Sequence, residues 1–159
     1  MSVWQRPTTA DIAIRAFSTT PEELLIEAVL GMQNIIMSES GKISANSSTL
    51  HNDVWIIETE GGQSFEQLLV MLLEEVLYRC EVEEQWFVKG VVRLTEKTIQ
   101  LQSSWADANS IEREIEIKAV TRHELKFYEI AHDEITYSNW EEIPDLVGPG
   151  WICDVVFDI

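Results

Sequence analysis

The residues best suited to do chemistry gather near the two ends of the sequence. The chain finishes on Val155-Val156-Phe157-Asp158-Ile159, a β-rich apolar run with a carboxylate at its penultimate position. If that run is docked in a sheet, the Asp158 side chain and the main-chain carboxylate of Ile159 lie close together, and like-charge repulsion disfavours ionising both. A cation relieves the repulsion. Hard carboxylate oxygens suit Ca²⁺, Mg²⁺ or Mn²⁺ better than Zn²⁺. Asp11, at the head of a predicted strand, supplies a third anionic oxygen if the two strands are neighbours. On residue type alone, a solvated carboxylate at a strand end or turn is the competing reading.

Other constellations are missing. The sequence contains no P-loop, no GxSxG elbow, no HExxH and no glycine-rich dinucleotide fingerprint. His51, His123 and His132 share no ligand spacing, which points to surface or hydrogen-bonded structural roles. Cys80 and Cys153 form no CxxC pair and sit among apolar residues, as reduced, buried thiols of a cytoplasmic protein do.

The elements that must position the carboxylates are legible from caps and periodicity. Thr20-Pro21-Glu22-Glu23 has the form of a capping box with proline at the first helical position. Leu24, Leu25, Ala28, Val29, Met32, Ile35 and Ile36 then recur at helical spacing as one apolar stripe, with an end expected near Ser38 to Gly41. Ser64-Phe65-Glu66-Gln67 opens a second helix that carries Leu68, Leu69, Met71, Leu72, Val76 and Leu77 and ends around Arg79 to Glu81. Alternation predicts strands at Ile12 to Phe17 and Val54 to Ile57, a hairpin of Trp86 to Leu94 with Thr98 to Trp105, strands around Ile115 to Ala119 and His123 to Phe127, and a last strand from Trp151 to Phe157. A polar loop from about Ala131 to Gly150 precedes that strand. Strands cluster after the second helix rather than alternating with helices. The class is therefore α+β: a single compact domain over residues 1–159, with a largely antiparallel sheet and two packed helices.

A chain of 159 residues buries about 70% of its unfolded surface and needs no disulfide or metal merely to fold. Its 28 acidic and 11 basic side chains leave a formal charge of −17, which repels phosphate backbones and anionic membranes. Direct nucleic-acid binding is not expected. The N-terminal residues lack the apolar core of a secretory signal, and the longest unbroken apolar run is Leu68 to Leu73, too short to cross a membrane. After Lys126 no Lys or Arg remains, while Glu129, Asp133, Glu134, Glu141, Glu142, Asp145, Asp154 and Asp158 all carry negative charge.

Five segments, in order, resemble the archeases, small acidic proteins that assist the RNA-splicing ligase acting on tRNA halves. They are Thr9-Ala10-Asp11-Ile12-Ala13-Ile14-Arg15-Ala16; Thr20-Pro21-Glu22-Glu23-Leu24; Leu73-Glu74-Glu75-Val76-Leu77-Tyr78; Glu116-Ile117-Lys118-Ala119-Val120-Thr121 with His123; and the closing Val155-Val156-Phe157-Asp158-Ile159. The resemblance spans essentially the whole chain. It implies a divalent cation, Ca²⁺ foremost, held by Asp11, Asp158 and Ile159, the set reached above from carboxylate chemistry. It also links Lys118 and Glu75 to activity. Read as ordinary residues, Lys118 pairs with Glu116 or another acid, and Glu75 is the polar edge of an amphipathic helix. The sequence departs from the family in having Pro7 and Thr8 where Asp-His usually stands, and its loop from Ala131 to Gly150 is longer than usual.

The function so implied is that of an accessory protein rather than an enzyme. It would promote transfer of GMP from GTP to a ligase histidine and restore repeated turnover. Two rival classes remain. One is an acidic interaction module or chaperone that occupies basic surfaces without metal, and the other is a small metal-dependent hydrolase, for which no nucleophile or base stands beside the acids.

Overall fold

Residues 2–7 and 11–159 are described in the computed structural model of the chain. In chain order they form β1 (Val3–Arg6), β2 (Ile12–Ser18), α1 (Pro21–Ile36), α2 (Glu39–Ser47), β3 (His51–Glu58), α3 (Phe65–Glu81), β4 (Gln85–Leu94), β5 (Thr98–Asp107), β6 (Ala119–Val120), β7 (Lys126–Ile130), β8 (Ile135–Thr136), β9 (Leu146–Val147) and β10 (Gly150–Asp158). A single 3-10 turn at Ala108–Ser110 follows β5.

Local chemistry explains where the helices start. The Thr20 hydroxyl accepts from the Glu23 N–H, and Pro21 fills the first turn of α1, where no donor is needed. The box is one-sided, because the Glu23 carboxylate accepts instead from the Ser18 and Thr19 hydroxyls at 3.2 and 3.0 Å. At α3 both halves form: the Gln67 N–H donates to Ser64 Oγ at 3.2 Å, and the Ser64 N–H donates to Gln67 Oε1 at 2.9 Å. Gly61 and Gly62, both at positive φ (90° and 71°), make the turn that swings the chain from β3 into α3.

Two sheets enclose the long helices. One has the order β1-β2-β10-β6, with β7 also paired to β10, and every pairing is antiparallel. The other has the order β3-β5-β4 and is likewise antiparallel. α1 and α3 contact each other and strands of both sheets, so they form the middle of three layers. This explains why α1 exceeds the single stripe expected of it. Gly31 and Gln33 are buried together with Leu24, Leu25, Ala28, Val29, Met32, Ile35 and Ile36, because a helix between two sheets has no wide solvent face.

The structure corrects three expectations. A third helix, α2, follows α1 at once, although its sequence ESGKISANS has no apolar period. It is held by its cap, the Ser38 hydroxyl accepting from the Gly41 N–H at 3.1 Å, and by close approach to the chain beyond β5. Residues 111–118 are not a strand partner of the sheet until Ala119. Ile117 is buried, as alternation required, but the N–H groups of Glu114 and Ile115 donate to the Ile36 carbonyl at the end of α1. The expected loop after β7 holds a short β8–β9 ladder, Ile135 opposite Val147 and Thr136 opposite Leu146.

Gly41 marks the tightest of these joints. A Cβ there would collide with the main-chain carbonyl oxygen of Glu112, which is fixed by hydrogen bonds from the Ser38 N–H (3.1 Å) and Ser38 Oγ (3.3 Å). Gly41→Ala is therefore expected to cost about 1–3 kcal/mol, as overpacking does. The measurement is the urea midpoint, and an unchanged midpoint would contradict the close approach.

Candidate functional site

β10 is the centre of the site. It pairs with β2 along one side and with β6 and β7 along the other, so its main chain is hydrogen-bonded on both flanks. Cys153, Val155 and Phe157 join the main core on the helix side. Ile152, Asp154 and Val156 alternate to the opposite face, and all three are buried too. The segment between β7 and β10 covers that face. Its Ile143 and Leu146 are buried, Leu146 clusters with Ile130 and Ile152, and Trp4, Phe17 and Tyr128 pack against the cluster.

Two arginines lie under this cover. Arg15 faces Asp154 in the β2–β10 register and makes a bidentate pair, Nε to Oδ1 and Nη2 to Oδ2, both 2.8 Å, with Arg15 5% and Asp154 1% exposed. The hydrogen bond to Asp154 raises the Arg15 pKa above its ordinary value, against the opposing effect of burial. Arg6 reaches across to Glu124 at 2.7 Å and draws that carboxyl below the usual range. The Trp140 ring lies over both guanidinium groups, 4.4 Å from Arg6 Cζ and 5.2 Å from Arg15 Cζ.

The carboxylates singled out by the sequence sit at the end of this ladder. The last registered pair is Phe157 with Ile12, so Asp158 and Asp11 occupy the next positions on adjacent strands. Since Phe157 points into the core, alternation directs Asp158 to the opposite face, and the same holds for Asp11 beside Ile12. Asp158 is exposed and Ile159 is 40% exposed. Lys118 arrives through its main chain: its N–H donates to the Asp158 carbonyl at 2.8 Å, next to the Ala119–Asp158 pair. Glu75 is engaged elsewhere. It pairs with Arg79 one turn on, at 3.0 Å, and the Arg79 guanidinium lies 5.2 Å from the Trp55 ring.

Among the described residues, no group of three or more His, Cys, Asp and Glu side chains is gathered in a form that holds a metal. The Asp11–Asp158 edge has two side-chain carboxylates, and the third oxygen of the expected set would be one of Ile159. The resulting donor set is all hard oxygen and partly exposed, and it fits Ca²⁺ or Mg²⁺ in chemical type. Thr8, Thr9 and Ala10 lie outside the described residues, including the Thr8 position where the family usually has histidine. Cys80 and Cys153 are both free and buried, and burial pushes both thiols up, away from thiolate. His51 stacks on Trp105, and His132 lies 3.0 Å from Asp133.

Arg15–Asp154 and the Trp140 cover were not anticipated. The signal for the ion pair was present: the pairing that sets Asp158 beside Asp11 also sets Asp154 opposite Arg15, four residues further in. The acidity read after Lys126 needs one correction, since Asp154 is neutralised and buried by Arg15 and adds nothing to an outward field.

The three-layer arrangement defines a known class of small α+β proteins. It matches the solution structure of Methanobacterium thermoautotrophicum protein 1598 with a TM-score of 0.62 at 19% identity, covering 99% of each chain. The crystal structure of a Thermotoga maritima archease, described as a possible chaperone, matches with a TM-score of 0.57 at 18% identity over 98% of each chain. The chain belongs to the archease protein family, whose model matches residues 5–159. The archease of Methanosarcina barkeri is 31% identical over 158 residues, spanning 95% of this chain and 91% of its own length. That of Methanosarcina mazei is 32% identical over 157 residues with the same coverage. No helix among the described residues is long and apolar enough to cross a membrane.

Proposed function

We infer that this protein is a cytoplasmic accessory factor that activates an RNA-splicing ligase, promoting its guanylylation and repeated turnover with a divalent cation held by Asp11, Asp158 and Ile159. Membership of the archease family supports an accessory role beside partner proteins. The observation that carries the finer reading is the β2–β10 register, which makes Asp11 and Asp158 neighbours although they lie at opposite ends of the sequence.

The protein's own contribution is positional. β10 is held from both flanks, so the backbone under Asp158 is fixed before any ligand arrives, and the Lys118 N–H pins the Asp158 carbonyl. Both carboxylates remain at the accessible end of the ladder, where a partner's active site can reach them. When bound there, a cation would screen triphosphate charge during nucleotide transfer. The negative surface would steer the protein onto a basic ligase face, which makes association salt-sensitive. Lys118 lies beside this edge through its main chain. Glu75, paired with Arg79, belongs to the helix surface facing Trp55.

The test is direct. Purified protein added to a limiting amount of ligase with GTP and Mg²⁺ or Ca²⁺ should raise both the rate of ligase guanylylation and the number of joints made per ligase. Unchanged rate and turnover would overturn the reading.

A further inference from the structure

β3 is a long strand with an open edge. It lies at the end of the order β3-β5-β4, and its eight residues pair in unbroken register with β5, from His51 opposite Trp105 to Glu58 opposite Thr98. Every second N–H and C=O along it therefore points away from the sheet. Among the described residues, no main-chain group outside β5 meets residues 51–58, and the one side-chain contact to this backbone comes from the strand itself, Asp53 Oδ1 accepting from the Val54 N–H at 2.7 Å. The other edges are short or covered. β1 and β7 have four and five residues and β6 has two, while β4 is bulged between Phe87 and Lys89 and lies against α1. β3 carries no proline, lysine or bulge, the usual devices against strand addition. Trp55 is buried in the core, so Val54 and Ile56 alternate to the solvent face, where they are 46% and 53% exposed and offer β-branched partners to a further strand.

Charge selects that strand. Asp53 and Glu58 on β3 and Glu60 just beyond it are exposed, and none of them is in an ion pair among the described residues. The cations of this sheet stand off, Lys89 and Arg93 on β4, two strands away, and Lys97 in the β4–β5 turn. The whole-chain charge of −17 repels a nucleic-acid backbone and a second copy of this chain alike. It attracts a basic segment. We propose that the β3 edge is a docking site for an extended, basic segment of a partner protein, which adds to the sheet as a fourth, antiparallel strand with cations opposite Asp53 and Glu58 and β-branched residues opposite Val54 and Ile56. This surface belongs to the second sheet and is separate from the Asp11–Asp158 edge of the first.

Titration of the intact ¹⁵N-labelled protein with the peptide acetyl-Lys-Thr-Val-Thr-Val-Arg-amide tests this by NMR. Aligned antiparallel, the peptide sets its Lys opposite Glu58, its valines opposite Ile56 and Val54, and its Arg opposite Asp53. Saturable shifts of the amides of β3 are expected, while those of β10 stay in place. The same peptide with Glu at both ends should bind at least about fivefold more weakly, since two cross-strand attractions become repulsions. Asp53→Lys combined with Glu58→Lys should reverse that preference, and Ile56→Lys, a lysine on the open edge, should weaken the basic peptide at least about fivefold. Should these variants fail to fold, the comparison of the two peptides on the unmutated protein decides the matter. No saturable shift in β3 up to millimolar peptide, equal binding of the two peptides, an unchanged preference in the folded charge-reversed variant, or a dimer held through β3 without peptide would each overturn the proposal.

Discussion

Asp154→Ala is expected to destabilise the protein by about 3–5 kcal/mol, because it leaves the Arg15 guanidinium buried without its counter-charge. Against a total stability of about 5–15 kcal/mol for a domain of this kind, that loss approaches global unfolding. The cost arises from the geometry. Arg15 is 5% exposed, both bonds to Asp154 go with the side chain, and its Nη1 already lacks a partner beneath the cover formed by Trp140. Removing both charges should be much milder. Arg15→Met combined with Asp154→Leu is expected to recover most of the lost stability, since an apolar pair of similar volume avoids the desolvation of two ions. Urea unfolding of the three proteins gives the comparison, and a loss below about 1 kcal/mol for Asp154→Ala would mean that water reaches Arg15.

Asp158→Ala should do the reverse, abolishing ligase activation while leaving the fold intact. The Asp158 side chain is exposed and its structural role runs through its main-chain pairing with Ala119 of β6 and the bond from the Lys118 N–H, so the change in stability should stay within about 0.5 kcal/mol. Activation, in contrast, should fall at least about tenfold, because a cation would lose one of three oxygen donors. One residue added after Ile159 should have the same effect, since it replaces a carboxylate by a neutral amide. An acidic module that works through its surface field alone predicts nearly full activation by both variants, with a dependence on salt instead. Guanylylation assays on folded variants therefore separate the two mechanisms.

Elements with local signals were legible in the sequence. Thr20-Pro21 and Ser64 with Gln67 announced α1 and α3, and Trp86 to Leu94 with Thr98 to Trp105 around Thr95-Glu96-Lys97 announced the β4–β5 hairpin. What escaped depends on contacts distant in sequence. α2 has no apolar face and exists because Ser38 and Gly41 meet Glu112. Residues 111–118 alternate like a strand, yet their donors find the end of α1. The adjacency of Asp11 and Asp158 was conditional on strand neighbours that no local pattern specifies. Arg15 and Asp154 would have been read as surface charge, since burying them requires a cover whose sequence is polar.

The partnership of β2 and β10 also bears on how the molecule comes into being. Arg15 and Asp154 are 139 residues apart, so the first hairpin emerges from the ribosome long before the strand that completes it. Throughout synthesis of the helices and the second sheet, β2 has an open edge and β1 alone for company. The second sheet has the opposite character, because β4 and β5 close on each other across a turn of three residues. The nascent chain thus acquires its three-stranded sheet early and its main sheet last. Folding is slow where contacts are so remote, and the waiting β2 edge is the segment through which an unfinished chain would aggregate.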